Sequence, residues 1–463
     1  MSVPLEAARE ALAGEDAWIV GGAVRDRLLE RETADLDLAV PADPRAAARA
    51  MARATGGAAF QLSGAFGAWR VVGPGHAWHV DLVTLRHGDI LADLAARDFT
   101  VNAMAEPLAG GELLDPHGGR ADLEAGRLRM VSPGALADDP LRTLRAVRLA
   151  VNHGLVTEPE TAAAIVREAP GLERIAAERI FGELKQLIGM PAVRTGLELM
   201  EAYGITAQVL PELLALHGVE QNEFHHLDVH DHTLEVLDQV IAIERDPVAA
   251  GLGAHAETVG SLLAEPLADE LTRGGAMRFA ALLHDAAKPW TRTQRNGRVG
   301  FPGHDREGAE LARTVLRRWR ASEKLADYVA ALCRHHLHAG FLVHERPLDR
   351  RAIWRYLRAT EPYSAEITVF TVADRLATRG RNADPAIAAH LEVAGDLLAS
   401  ALEQRDTPRP PALLRGDELA RELGIRPGPR LGELLAQLEE DRYAGAIATR
   451  EDAIRRAREL AGD

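Results

Sequence analysis

The pattern of apolar and polar positions changes character about a third of the way along the chain. Ala17-Trp18-Ile19-Val20 is apolar and β-prone, Gly21-Gly22 interrupts it, and Ala23 to Leu29 suits a helix. Asp35-Leu36-Asp37-Leu38 then alternates with the period of a strand. Trp69 to Val72 and His79 to Leu85 carry two more strand patterns. From about Asp139 the β signal fades, and the rest reads mainly as helices punctuated by Gly and Pro, with a loop or helix connection at Gly251 to Glu270. No solenoid-type repeat is present. The pattern predicts an α+β chain, with a short mixed sheet in its head followed by a mainly α-helical body and tail.

A first boundary is expected near residue 125, after Asp115-Pro116-His117-Gly118-Gly119, and a second near Pro211. Asp406-Thr407-Pro408-Arg409-Pro410-Pro411 reads as a linker. The expected segments are therefore 1–125, 126–215, 216–405 and 406–463. A length of 463 residues agrees with several domains, at roughly 150 residues each.

Composition narrows the class. Apolar residues at 47% and charged residues at 27% exclude global disorder. No segment approaches the ~20 uninterrupted apolar residues of a membrane span. Met1 to Glu10 has no signal-peptide pattern. One cysteine, Cys333, forbids an intrachain disulfide and argues for a cytoplasmic protein. A net charge of −15 does not advertise a nucleic-acid binder, but binding depends on where the positive charge lies. That charge is nearly all arginine, since lysine occurs only at 185, 288 and 324.

The candidate chemistry begins with carboxylates. Residues i and i+2 of a strand share a face, so Asp35 and Asp37 aim the same way. Two such acids repel unless a cation lies between them, and a hard cation such as Mg²⁺ meets that need. Asp81 lies in another strand pattern. If the strands neighbour, three carboxylates suit two metals and in-line phosphoryl displacement. Gly21-Gly22 before a helix offers a phosphate cradle, with Arg25 one turn in. Asp-x-Asp alone also occurs on plain solvated strands. The ordered set is what carries the signal.

Gly21-Gly22-Ala23-Val24-Arg25-Asp26 followed by Asp35-Leu36-Asp37 resembles the signature of class II tRNA nucleotidyltransferases and their poly(A) polymerase relatives. Arg97-Asp98-Phe99-Thr100-Val101-Asn102-Ala103-Met104 is similar to that family's second motif. Asp138-Asp139-Pro140-Leu141-Arg142-Thr143-Leu144-Arg145-Ala146-Val147-Arg148 is similar to its nucleotide-selecting helix. The resemblance implies that Asp35 and Asp37 bind catalytic Mg²⁺ and that Asp81 activates the 3′ hydroxyl of the RNA. Gly21, Gly22 and Arg25 would meet the triphosphate. Arg97 and Asp98 would lie by the sugar and phosphates, with Asp98 on the ribose 2′-OH and Asn102 supporting the turn. Asp139 and Arg142 would read the base edge, with Arg145 and Arg148 on the same helical stripe. A helix cap followed by a solvated face is the plainer reading of Asp139-Pro140.

The chain departs from the family pattern in four places. Only Leu82 to Ala96 separate Asp81 from Arg97, which resembles relatives that add two cytidines alone. Asp138 stands where glutamate is usual, Ala96 where arginine is frequent, and Leu149 where phenylalanine is usual.

A second constellation is rich in histidine. His284-Asp285 follows the apolar run Phe279 to Leu283, where a buried pair is costly unless it binds metal or is hydrogen-bonded. With His232 upstream and Asp374 downstream it resembles the HD phosphohydrolase domain, which implies a divalent metal on those four residues. His304 and His335-His336 match positions that hold a second metal in binuclear relatives, with His335 taken as the ligand. His255 and His390 read as surface or capping residues.

The segment from Ala177 to Leu213 resembles an RNA-binding neck, and Leu414 to Pro429 a tRNA-contacting tail. Aromatics at 4% argue against a broad base-stacking platform. The reading is a tRNA 3′-terminal nucleotidyltransferase that adds C and C, with the terminal A left open, from CTP and ATP, with a fused HD domain whose hydrolysis of phosphoesters is also left open, and no membrane partner. CC addition alone and poly(A) polymerisation are the near alternatives. An HD phosphohydrolase with an RNA-docking head, or a non-catalytic nucleotide sensor, are readings of other classes.

Overall fold

The computed structural model describes residues 2–31, 35–63, 67–407 and 410–462. Pro408 and Arg409 of the expected linker lie outside them. The chain forms two compact units, Met1–Val209 and Leu210–Asp463.

The first unit opens with helix α1 (Ser2–Ala11) and strand β1 (Trp18–Val20). Helix α2 (Gly22–Leu28) and strand β2 (Asp35–Val40) follow. Helix α3 (Arg45–Thr55) ends at Gly56, whose left-handed φ of 68° stops the helix. Strands β3 (Ala58–Ser63), β4 (Ala68–Val72), β5 (His79–Thr84) and β6 (Ala105–Pro107) complete a mixed sheet of order β3-β4-β5-β2-β1-β6. β2 and β5 are parallel neighbours, which brings Asp37 into register with Asp81.

The alternation of β2 decides what is buried. Leu36 and Leu38 enter the core with Ile19, Met51, Val71, Val80 and Leu82, while Asp35 and Asp37 face away from it. Two further helices matter for the site, α4 (Leu141–His153) and α5 (Ala177–Ile188), which pack together. α4 buries Leu144, Val147 and Leu149 and ends at left-handed Gly154.

The second unit is helical. Its central helices are α6 (Val229–Arg245), α7 (Arg273–Leu283), α8 (His304–Arg318), α9 (Glu323–His335) and α10 (Ser364–Ala377). Asp228, Thr272 and Ser322 cap three of them by accepting from backbone N–H groups. The long helix α11 (Ala383–Asp406) is apolar enough to cross a bilayer by length and composition alone. It packs instead on α10 and buries Val393, Ala394, Leu397 and Leu398. His390, expected at the surface, is buried on this helix and meets Thr371 Oγ1 at 3.0 Å. Helices α12 (Gly416–Leu423), α13 (Pro429–Tyr443) and α14 (Arg450–Ala461) close a small core of their own around Leu419, Leu434 and Ala453.

Candidate active site and metal cluster

A cavity of about 900 Å³ in the first unit is lined by Gly21, Gly22, Arg25, Asp35, Asp37, Arg97, Asp98, Asn102, Asp139, Arg142, Arg145 and Arg148. The sheet supplies Asp35 and Asp37, and α4 supplies Arg142, Arg145 and Arg148. Gly21, at φ 68°, has no room for a side chain, because a Cβ there would lie 2.9 Å from Arg97 Nη1 and 3.3 Å from Asp37 Oδ2.

Asp37 is crowded by like charge. Burial, then the neighbouring carboxylates of Asp81 and Asp35, push its carboxyl above the usual range, and Arg97 only partly offsets them. Asp35 is exposed and meets His79 Nδ1 at 2.8 Å. Asp81 is not among the lining residues. Arg70 on β4 donates to both of its oxygens at 2.7 Å. Among the described residues, these three acids do not form a group of metal-type donors within 4.8 Å of one another.

Behind the cavity wall runs a chain of hydrogen bonds. Arg25 donates from Nη1 to Asn102 Oδ1 at 2.6 Å, and Asn102 Nδ2 donates to Asp98 Oδ1 at 3.1 Å. Asp98 also accepts from Phe99 N–H at 2.8 Å and from Arg145 Nε at 3.0 Å. Burial alone would raise the Asp98 carboxyl, but Arg145 and these hydrogen bonds outweigh it and hold it down at about 2. Glu183 of α5 receives Arg145 at 3.2 Å and Arg148 at 2.5 Å. The stripe on α4 is thus wired to carboxylates, where the sequence left its arginines unpaired.

Arg142 is held differently. It donates to the carbonyls of Ala96, Ala135 and Arg97 at 2.8, 2.9 and 3.2 Å. Asp139 precedes the helix in an extended conformation, and its Oδ1 accepts from Leu141 N–H at 3.3 Å. Its other oxygen takes Arg179 of α5 at 2.6 Å. Sequence reading missed Arg70, Asp93, Arg179 and Glu183. Asp93 grips Arg97 through Oδ2 at 3.0 and 3.2 Å. The only local signal was the i,i+4 spacing of Asp93 and Arg97.

In the second unit the ligand atoms of His232, His284 and Asp374 lie within 4.8 Å of one another, and so do those of Asp285, His304 and His336. Asp374 Oδ1 is 3.1 Å from His232 Nε2. His304 Nε2 and His336 Nε2 stand 3.5 and 3.8 Å from Asp285 Oδ1. His335, expected as the ligand, is elsewhere. Its ring stacks on His338 at 5.8 Å, and the cluster takes His336 instead. The reason is helical phase. His336 keeps the helical φ and ψ of α9, at −59° and −24°, so it lies about 100° round the axis from His335 and turns inward, while His335 stays half-buried.

Three imidazoles are oriented the same way. Nδ1 of His284, His304 and His336 donates to the carbonyl three residues earlier, at 2.9, 2.7 and 2.7 Å. A carbonyl only accepts, so Nδ1 carries the proton and Nε2 is left with its lone pair, the tautomer a metal ligand needs. Burial pushes His336 down to about 3, which keeps it neutral. His284 Nε2 and both oxygens of Asp285 are fully buried, and His284 Nε2 lies 3.1 Å from Asp285 Oδ2. With Nδ1 protonated that contact sets a lone pair against a carboxylate, and a divalent cation would satisfy both, so the residues fit a metal. Lys288 Nζ lies 2.6 Å from Asp285 Oδ2 and donates to Gln221 at 2.7 Å. His225 stands edge-on to His232 at 5.2 Å between ring centres. Lysine at i+3 from Asp285, in a chain nearly free of lysine, was the available signal for Lys288.

A glycine turn facing paired strand aspartates, closed by an arginine-bearing helix, defines a nucleotidyltransferase head, and the histidine–aspartate cluster defines an HD-type domain. Comparisons with known proteins agree. Residues 17–129 match the poly A polymerase head domain, residues 154–216 the "Probable RNA and SrmB-binding site of polymerase A", and residues 252–379 the HD domain. The A-adding tRNA nucleotidyltransferase of Deinococcus radiodurans is 38% identical, with 94% of each chain covered. The CC-adding tRNA nucleotidyltransferase of Thermus thermophilus is 34% identical over 95% of this chain and 92% of its own. The Thermotoga maritima CCA-adding enzyme, solved with tRNA, has the same fold at a TM-score of 0.56 and 20% identity, over 99% of this chain and 94% of that one. The chain belongs to the family of class II tRNA nucleotidyltransferases and poly(A) polymerases with a fused HD domain, and it is a nucleotidyltransferase.

Proposed function

We propose that the protein completes the 3′ end of tRNA, adding C, C and A from CTP and ATP. The observation that carries this reading is the single cavity that holds Asp35, Asp37, Gly21, Gly22 and Arg25 together with Asp139 and Arg142. Acids for metal, a cradle for triphosphate and a polar pair for a base edge have one common use. We assign residues 1–125 to the head, 126–215 to the neck, 216–405 to the HD domain and 406–463 to a tRNA-contacting tail, in a cytoplasmic enzyme.

In the reaction the 3′ hydroxyl oxygen of the RNA bonds to the α-phosphorus of the nucleotide, the α–β phosphoanhydride bond breaks, and pyrophosphate leaves. Asp35 and Asp37 would hold Mg²⁺, which supplies charge neutralisation at the transferring phosphoryl group. Asp81 takes the hydroxyl proton, with Arg70 fixing its plane. Arg25 and Arg97 hold the triphosphate, and Asp98 and Asn102 support them and the ribose. Arg145 and Arg148 add positive potential to the wall. Asp139 accepts from an exocyclic amine and Arg142 donates to a ring nitrogen or carbonyl. Cytosine and adenine both carry that amine, so one pair serves both.

Sequencing the 3′ ends made from tRNA that lacks CCA, ends in C or ends in CC, with CTP, ATP or both, tests this directly. Long tails from ATP alone on unrelated RNA would overturn it in favour of a poly(A) polymerase. A second reading, addition of the terminal A alone, is favoured by the 38% identity to an A-adding enzyme over 94% of the chain. Incorporation of ATP on CC-ended tRNA without incorporation of CTP on any primer would establish it. CC addition alone is the converse outcome. For the second unit we propose phosphoester hydrolysis at RNA ends, with a divalent metal on His232, His284, Asp285 and Asp374 and a second on His304 and His336 beside Asp285.

A further inference from the structure

We propose that Arg179 is a positioning residue for base selection. It reaches from the neck helix and fixes the carboxylate of Asp139 in the one orientation that accepts an exocyclic amine. The proposal rests on the reading of Asp139 as a base reader.

Asp139 belongs to no helix. It joins the short helix Ala135–Asp138 to α4 in an extended conformation, with φ −147° and ψ 96°. Nothing in its own backbone element therefore sets its side chain. Two contacts do. Leu141 N–H reaches Oδ1 at 3.3 Å, and Arg179 Nη2 reaches Oδ2 at 2.6 Å. Leu141 is local and weak at that distance, whereas the arginine contact is short and charge-assisted. Each oxygen keeps a further lone pair, and both residues line the cavity. Arg142 is already held by three backbone carbonyls. Arg179 thus does for the acceptor what those carbonyls do for the donor.

Orientation matters because the wrong bases also carry donors. Uracil offers a ring N–H and guanine a ring N–H and an amine elsewhere on its edge. A carboxylate free to turn meets those donors too. One held in place meets an amine where cytosine and adenine carry it, and a carbonyl oxygen where uracil and guanine do, and repels the latter. Half of the Arg179 side chain is exposed and that of Asp139 is 26% exposed, so the pair is accessible without being part of the core.

The test is single-nucleotide incorporation on truncated tRNA by the full chain, with kcat and KM measured for CTP, ATP, UTP and GTP. For Arg179→Ala we expect kcat/KM for CTP over UTP, and for ATP over GTP, to fall roughly tenfold, the scale of one misplaced polar contact. The loss should appear mainly as higher KM for CTP and ATP, with KM for tRNA unchanged. Arg179→Lys should recover part of the discrimination. Asp139→Asn should lose discrimination as well, and adding Arg179→Ala to it should cost little more, since both act through one group. Wild-type discrimination in Arg179→Ala, with discrimination lost in Asp139→Asn, would overturn the proposal while sparing the reader role. A raised KM for tRNA with discrimination intact would overturn it in favour of phosphate binding by Arg179. Full discrimination in Asp139→Asn would remove the reader role itself, and the proposal with it.

Discussion

Asp37 is the residue on which the head turns. Its carboxyl lies between Asp35 and Asp81, and burial and those charges together oppose its ionisation. A group held in so unfavourable a state is stabilised by a bound cation, and its removal should cost the reaction far more than the fold. Asp37→Asn keeps the shape and removes the charge. We expect nucleotide incorporation to fall about a thousandfold, several kcal/mol of lost transition-state stabilisation, with thermal stability equal or higher. Radiolabelled CTP incorporation and a thermal melt check both halves. Asp98 has the opposite character. Its carboxyl is held at about 2, against ~3.9 for an unfolded chain. A depressed value means stability that is fully present above pH ~4 and is lost as the pH falls through about 2, on the order of 2 kcal/mol. Urea midpoints of the wild type and Asp98→Asn, compared from pH 6 downwards, should differ most above pH 4 and converge towards pH 2.

At the scale of elements, α4 and α5 are joined through Glu183, which receives both Arg145 and Arg148 while nearly buried. Removing the acid takes the carboxylate from Arg148 and leaves Arg145 with Asp98 alone, two cations side by side. Glu183→Ala should lower unfolding stability by about 3 kcal/mol, read from denaturant midpoints, and Glu183→Gln by less because it still accepts hydrogen bonds. This junction also shows what the sequence could and could not tell. The i,i+3 spacing placed Arg142, Arg145 and Arg148 on one stripe from local geometry alone. Their partners lie 35 to 47 positions away, at Glu183, Asp98 and the Ala96 carbonyl, and no periodicity reports such a distance. β2 and β5 were legible because Asp35-Leu36-Asp37-Leu38 alternates strictly and Val80 and Leu82 flank Asp81. β3 was missed because Ala58-Ala59-Phe60-Gln61-Leu62-Ser63 leaves Phe60 and Leu62 exposed at the sheet edge, so its apolar positions mark no buried face. The choice between His335 and His336 turned on helical phase, since adjacent residues differ by about 100° around the axis and the sequence does not say which one faces the cluster.

At the scale of the whole molecule, the two chemistries lie in separate compact units, and their metal demands differ in kind. The head offers carboxylates, which suit a hard, exchangeable cation. The second unit offers mainly imidazole nitrogens, three of them on rings whose Nδ1–H donates to a backbone carbonyl, which suits a transition-series ion held more tightly. Two consequences can be separated. On the proposal that Asp35 and Asp37 hold Mg²⁺, brief treatment with EDTA followed by Mg²⁺ should restore nucleotide incorporation fully. Hydrolysis of a phosphoester such as bis-p-nitrophenyl phosphate should stay lost until Mn²⁺, Co²⁺ or Ni²⁺ is added. His284→Ala goes further, because on the proposed assignment it deletes a buried metal ligand of the cluster. It should abolish hydrolysis and lower the metal content of the purified protein, measured by inductively coupled plasma mass spectrometry, while incorporation of CTP and ATP stays within about twofold of wild type. Were incorporation to fall in step with metal content, the cluster would be serving the head, and the division of labour between the units would have to be abandoned.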